Sequence, residues 1–344
     1  MSRLVHGGDV YRHPGVLDFS SNINPLGTPE RVIRAACESM TEISRYPDVL
    51  QEKLLTKLSS YENVPADWLI CGNGAAEVIF SFVHAVRPEK ALVTAPSFAE
   101  YEGALKAVDC EVAYAELREE DGFALTASYL DLLTPDIDMA FLCNPNNPTG
   151  CTIDPELMGR ILDRCRDNGI WLLVDECFQD FLDEPDRLTV KDRLADHPQL
   201  FILKAFTKRY AVPGIRLGYG LTANGELLEA MHRIVQPWNV SIPAQAVGAA
   251  ALDEEAYVDK ARSLIRTERA FLKEELAKLG FTVYASKANY IFFRGPEGLL
   301  EKALARQVLI RSCANYPGLD GRYYRVSVRL HDENLQLLEA LRQA

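Results

Sequence analysis

Between residues 68 and 203, short β-prone runs alternate with longer segments of helical period. The runs 68–71, 91–95, 111–115, 139–143, 171–174 and 200–203 read as strands, and helices lie between most of them, most clearly over 155–168. This alternation predicts a largely parallel sheet covered by helices on both faces. Such sheets bind ligands at the carboxyl ends of their strands. Three loops rich in Gly, Asn or Pro follow strands here: 72–77, 144–150 and 175–178. All three are expected to open onto one crevice.

The flanks read differently. The first 27 residues are rich in Gly, Asn and Pro and look like an extended arm. Thr28-Pro29-Glu30 is a helix start, with Thr as cap, Pro in the first position and Glu facing the dipole. That helix should run to about Met40, and a second should cover 49–61. Beyond residue 241 comes a charged, mostly helical stretch that ends near Leu279. Short strands at 281–284, 290–293 and 324–328 then mix with a helix near Leu299 and a last helix, an α+β pattern. The expected fold class is therefore α/β, a large domain with a mainly parallel sheet plus a smaller α+β domain. The expected boundaries are an arm and helix at 1–47 that join the small domain, a large domain at 48–240 and a small C-terminal domain at 241–344. A chain of 344 residues buries enough surface to need no disulfide staples.

Charge and motif spacing narrow the function. A net charge of -12 argues against a nucleic-acid partner, which needs a basic face, but leaves small anionic substrates open. The eight cysteines form no C-x-x-C pair, several lie in apolar runs such as 140–143, and they read as reduced thiols. The six histidines lack metal-ligand spacing, so no metal is expected. The N-terminal residues lack the apolar core of a signal peptide, and no apolar run approaches the roughly 18 residues of a membrane helix. A soluble, cytoplasmic enzyme without membrane contact is the expectation.

The chemistry concentrates in Phe206-Thr207-Lys208-Arg209-Tyr210-Ala211-Val212-Pro213-Gly214-Ile215-Arg216. A lone lysine after a strand is usually a surface charge. Here an arginine follows eight positions on, in what reads as an apolar strand, where it would be costly unless it met an anion. A lysine amine that forms a Schiff base and an arginine that holds a phosphate fit that need. Asp175 ends the strand 171–174, and a carboxylate there needs a cation or several donors. A helix cap or a local salt bridge is the plain alternative; a pyridinium nitrogen is the functional one. The turn 72–77 leads into a helix start whose backbone N–H groups are a ready phosphate site. It does not extend to G-x-G-x-x-G, so no dinucleotide fold is read.

Lys208 with Arg216, Asn147-Pro148-Thr149-Gly150 and Asp175 together resemble the fold-type-I aminotransferase family of pyridoxal-phosphate (PLP) enzymes. The segments His6-Gly7-Gly8, 17–27, Phe98-Ala99-Glu100-Tyr101, 309–320 and Tyr323-Tyr324-Arg325-Val326 are more similar to its threonine-phosphate decarboxylase branch, which belongs to cobalamin biosynthesis and is related to the histidinol-phosphate aminotransferases. The likeness spans essentially the whole chain, and 311–320 is its most specific part. It implies Lys208 as the Schiff-base lysine, Asp175 as partner of the pyridinium nitrogen, Asn147 as donor to the ring oxygen and Phe98 as the aromatic stacked on the ring. It implies Gly74, Ala75, Ala76, Thr207 and Arg216 around the cofactor phosphate, and Tyr46 reaching the phosphate of a neighbouring subunit's cofactor in a homodimer with shared sites. It further implies His6, Gly7, Asn22, Asn147, Arg311 and Arg325 around a phosphorylated amino acid.

Three positions depart from the pattern. Ala205 stands where many members carry a hydroxyl for the cofactor phosphate, and Phe178 where most aminotransferases carry a tyrosine. The stretch between Gly8 and Leu17 is also short for the branch. The expected reaction is PLP-dependent loss of CO2 from O-phospho-L-threonine or O-phospho-L-serine. A histidinol-phosphate-type aminotransferase is the first rival. A non-catalytic module of the same fold is the second, and it predicts an eroded Lys208 or Asp175, neither of which is eroded.

Overall fold

The structure is a computed structural model and describes residues 6–343. A short strand β1 (Leu17–Asp18) comes first. The alternating region then supplies seven strands: β2 (Leu69–Gly72), β3 (Lys90–Ala95), β4 (Glu111–Glu116), β5 (Met139–Cys143), β6 (Trp171–Asp175), β7 (Leu200–Ala205) and β8 (Gly218–Leu221). They form one sheet in the order β2-β8-β7-β6-β5-β3-β4. The pairs among β3 to β7 are parallel, as the alternation predicts. Strand β8 is the exception, running antiparallel to both β7 and β2.

Two glycines explain why β8 begins at Gly218 and how it fits. A Cβ on Gly220 would lie 2.1 Å from the Phe201 ring, and one on Gly218 would lie 2.4 Å from the Ala75 nitrogen. Only a chain without side chains there can pass so close to its neighbours. Arg216 accordingly stands outside the strand, in a left-handed turn (φ 59°) just before β8, and not in the apolar strand expected for it.

The helices are α1 (Glu30–Ser39), α2 (Glu52–Glu62), α3 (Ala75–Val86), α4 (Ala99–Lys106), the single turn α5 (Tyr129–Leu132), α6 (Pro155–Asn168) and the single turn α7 (Pro185–Leu188). After them come α8 (Phe206–Arg209), α9 (Gly225–Ile234), α10 (Ile242–Ala251) and α11 (Glu255–Lys278). Local chemistry sets their ends. Asp154 caps α6 by accepting from the Glu156 and Leu157 nitrogens at 3.0 and 3.1 Å, Pro155 takes the first turn, and Gly169 ends the helix in a left-handed conformation. Successive strand residues point to opposite faces of the sheet. Leu142, Val174 and Ile202 meet α6 on one face, while Phe141, Leu173 and Phe201 meet α3, α4 and α9 on the other.

The C-terminal part adds strands β9 (Thr282–Val283), β10 (Tyr290–Arg294), β11 (Val308–Leu309), β12 (Arg311–Ser312) and β13 (Tyr323–Ser327), with helices α12 (Leu299–Leu304) and α13 (His331–Arg342). Four of these strands make an antiparallel sheet, β12-β13-β10-β9, and β1 pairs in parallel with β11. The arm thus joins the small unit through 17–19, with Phe19 in its core.

The domain boundaries expected at 47 and 240 do not coincide with changes in side-chain contact. Val32 of α1 and Ala244, Val247 and Ala251 of α10 are buried with the large sheet. Helix α11 carries Val258, Ala261 and Ile265 in the large cores but Leu272 and Leu276 in the small one. The change therefore falls inside α11. A charged helical period marks the solvent face of such a helix and does not say which core its other face meets. Among the described residues, no helix is long and apolar enough to cross a membrane, and no cluster of ligating side chains could hold a metal ion.

Candidate active site

A cavity of about 260 Å³ opens where β5, β6 and β7 end. Parallel register puts Cys143 beside Asp175 and Asp175 beside Leu203, so the loops that follow reach the same crevice. Lys208 lines it from α8 and Asp175 from the end of β6; Phe98, Asn147 and Phe178 complete this part of the wall.

Asp175 is buried, and among the described residues no cation pairs with it. Its Oδ2 accepts from the Tyr101 hydroxyl at 2.6 Å and its Oδ1 from the Cys177 nitrogen at 2.9 Å. Burial raises its pKa, and those two donors only partly offset the rise. Such a carboxylate is suited to a cationic ring nitrogen. Burial also lowers the pKa of Lys208, to about 8, with the Arg325 guanidinium pushing the same way. An amine so shifted is partly neutral near pH 8, and a neutral amine is the nucleophile.

An anion site faces the amine. Ala75 and Ala76 open helix α3, whose first N–H groups and dipole favour negative charge. Thr207 and Arg216 line the same cavity. Gly74, the residue before α3, does not line it but makes room: a Cβ there would lie 2.3 Å from Arg216 Nη2. The missing hydroxyl at Ala205 leaves Thr207 as the hydroxyl on this stretch that lines the cavity.

A second group of side chains comes from the arm and the small unit. His6, Gly7, Asn22, Arg311 and Arg325 all line the cavity. Arg325 donates to Asn147 Oδ1 and to the Ser20 carbonyl, the latter at 2.7 Å, and so ties small unit to large across the site. Arg311 donates to Asn315 Oδ1 at 2.8 Å and lies over the Tyr316 ring. Both guanidinium groups are buried. Among the described residues neither side-chain atom of buried Asn22 has a hydrogen-bond partner, as expected where a polar ligand supplies one. Gly7 is held where a Cβ would strike the Ser20 carbonyl at 2.2 Å. His6 lies 3.1 Å from Glu100 at the cavity mouth.

The residues present therefore fit PLP: an amine, an unpaired carboxylate, an aromatic face and an anion cradle surround one cavity. Tyr46 is not brought there. It is 75% exposed and stacked on Trp238 with ring centroids 4.6 Å apart. Sequence reasoning assigned no role to Tyr101, Tyr316, Ser20 or Ser21, although all four stand in the segments that carry the resemblance. Tyr101 follows Phe98 by three positions, the spacing that puts two residues on one helix face, which was the available signal.

The chain is similar to known proteins over nearly its whole length. The aminotransferase class I and II family matches residues 14–341. A threonine-phosphate decarboxylase of Salmonella typhimurium is 41% identical over 350 aligned residues, covering 98% of this chain and 96% of the relative. The structure of histidinol-phosphate aminotransferase from Clostridium acetobutylicum superposes with a TM-score of 0.89 at 31% identity, covering 95% of this chain and 98% of that one. That of L-threonine-O-3-phosphate decarboxylase from Porphyromonas gingivalis gives 0.82 at 25% identity, covering 94% and 97%.

Proposed function

This chain belongs to the aminotransferase class I and II family, and from that premise we propose that it is a PLP-dependent threonine-phosphate decarboxylase. The observation that carries the reading is the near full-length likeness to the Salmonella decarboxylase. The pairing of two buried guanidinium groups with one PLP-type cavity supports it.

When bound, PLP supplies a ring that accepts the electron pair of a bond broken at Cα of an amino acid. This chain's residues decide the rest. Lys208 would hold the cofactor, and its amine, with a pKa lowered to about 8, could carry a proton at Cα. Asp175 presents a carboxylate to the ring nitrogen, and Asn147 and Phe98 fix the ring's edge and face. Ala75, Ala76, Thr207 and Arg216 hold the cofactor phosphate. Arg311 and Arg325 bind the two anions of O-phospho-L-threonine, its phosphate and its carboxylate, with His6, Gly7 and Asn22 closing around them. Where Arg311 and Arg325 would hold the two anions decides which bond at Cα is presented for breakage. The balance is one CO2 released, one proton placed on Cα and aminopropanol phosphate formed, a product we assign to cobamide biosynthesis. O-phospho-L-serine differs by one methyl and would give ethanolamine phosphate.

We further propose a cytoplasmic homodimer with shared sites. The eight unpaired cysteines suit a reducing compartment. Tyr46 stands among the exposed apolar side chains Ile43, Val49, Leu50 and Trp238, a patch suited to a second copy. A monomer by sedimentation that turns over at full rate would refute the shared site.

Incubation with O-phospho-L-threonine should release CO2 with no keto acid present. Conversion of histidinol phosphate only when 2-oxoglutarate is added would favour the aminotransferase reading instead.

A further inference from the structure

We propose that Tyr101 is a positioning residue for the cofactor, its hydroxyl keeping the Asp175 carboxylate ionised and aimed at the ring nitrogen while its ring backs Phe98. The proposal rests on the reading that PLP occupies the cavity described above.

Tyr101 is wholly buried and its hydroxyl lies 2.6 Å from Asp175 Oδ2. Its ring stacks on Phe141, with centroids 5.1 Å apart at 22°, and meets Phe98 edge-on at 5.6 Å and 81°. One side chain therefore touches both the residue beneath the cofactor ring and the residue opposite its nitrogen. A carboxylate offers about four lone-pair positions. The Tyr101 hydroxyl takes one on Oδ2 and the Cys177 nitrogen one on Oδ1, fixing the carboxylate's rotation while leaving acceptor capacity for the ring.

The hydroxyl is well chosen chemically. The ionisable groups facing Asp175 are Tyr101 from α4, Cys143 from β5, Cys177 from the turn after β6 and Tyr290 from β10. Each is neutral when protonated and burial raises its pKa, so none of them carries a charge that could hold the carboxylate. The carboxylate must then be kept ionised by hydrogen bonds alone until the ring arrives. Tyr101, held well above its ordinary range chiefly by burial, remains a neutral donor throughout the working range of pH. A tyrosine kept only for packing would satisfy its hydroxyl on any nearby acceptor and would not matter to the cofactor.

Tyr101→Phe removes the hydroxyl and keeps the ring, so the stack on Phe141 survives. The wild-type chain and the variant are titrated with PLP, and the visible band of the cofactor linked to Lys208 is followed against pH. The expected result is a variant that still melts in one cooperative transition without PLP, with a PLP dissociation constant raised about tenfold, the worth of one hydrogen bond to a charged group. The pH midpoint of the band should also move upward, because a less fully protonated ring withdraws less charge from the nitrogen contributed by Lys208. In an Asp175→Asn background, Tyr101→Phe should add nothing further to the loss of affinity. Equal affinity and midpoint in wild type and variant overturn the proposal, and so does an undiminished tenfold loss in the Asn background. Failure of the wild-type chain to take up PLP on Lys208 after borohydride reduction overturns the underlying reading, and the proposal with it.

Discussion

Lys204 near the end of β7 and Lys208 in α8 lie four positions apart, and burial pulls the pKa of both downward. They end in opposite chemical states. The Lys204 ammonium sits 3.0 and 3.1 Å from the Glu62 carboxylate oxygens and 3.8 Å from Glu176, and these anions more than offset the burial, so that its pKa is raised. Glu62 is held in turn to about 2, against its own burial, by Lys204 first and then by the Tyr219 hydroxyl at 2.5 Å. Lys208 has the Arg325 guanidinium as its strongest charged neighbour, and its pKa falls to about 8. Burial alone does not make a reactive amine. The sign of the surrounding charge decides.

Exchanging the lysines' fates is the sharpest way to break this comparison. Lys208→Ala should lower kcat by on the order of 10³-fold or more. It should change the urea stability of the unliganded protein by no more than about 1 kcal/mol, because burial and the Arg325 guanidinium already disfavour that cation in the folded chain. Lys204→Met should do the reverse to stability. It leaves Glu62 and Glu176 buried together and should cost about 3–5 kcal/mol in the same urea titration. Equal stability of the two variants would erase the distinction drawn between the sites.

A smaller effect sharpens the account of Lys208 itself. The neutral amine is the reactive form, so labelling of Lys208 by an amine reagent in the unliganded chain should rise with pH, with a midpoint at about 8. Replacing Arg325 by Gln removes the cation that disfavours protonation, and the midpoint should move upward. A midpoint unmoved by Arg325→Gln would leave burial as the whole cause.

Much of the parallel sheet was legible because strands buried on both faces leave short apolar runs between helices, as at 139–143 and 171–174. Strand β8 was legible only in part: an apolar strand was read around Arg216, but β8 starts two residues later, where its glycines answer to the Phe201 ring and to the start of α3, contacts that no local pattern encodes. Within the site, Lys208, Asp175 and Arg216 stand out by residue type and spacing, although Arg216 owes its place to a left-handed turn and not to a strand. His6, Asn22, Arg311 and Arg325 come to the cavity from opposite ends of the chain. Only resemblance could bring them together in advance, since loop closure over such separations leaves no mark in local composition. Glu62 was missed entirely. As a lone acid at the end of α2 it looks like any surface charge until its contacts with Lys204 and Tyr219 are seen.

The path of α11 has a consequence for how such chains can be inherited. The small unit's core takes Phe19 from the arm, Leu272 and Leu276 from the end of α11 and the remainder from later strands and helices, while the first half of that same helix belongs to the large cores. A single crossover between two related genes therefore always parts residues that touch, wherever it falls between the arm and α11. Exchange of the small unit as a piece needs two breakpoints, one just after the β1 segment and one within α11, and each must land where both parents agree on the contacts. Drift by compensating point changes is the easier route by which one member of the family becomes another.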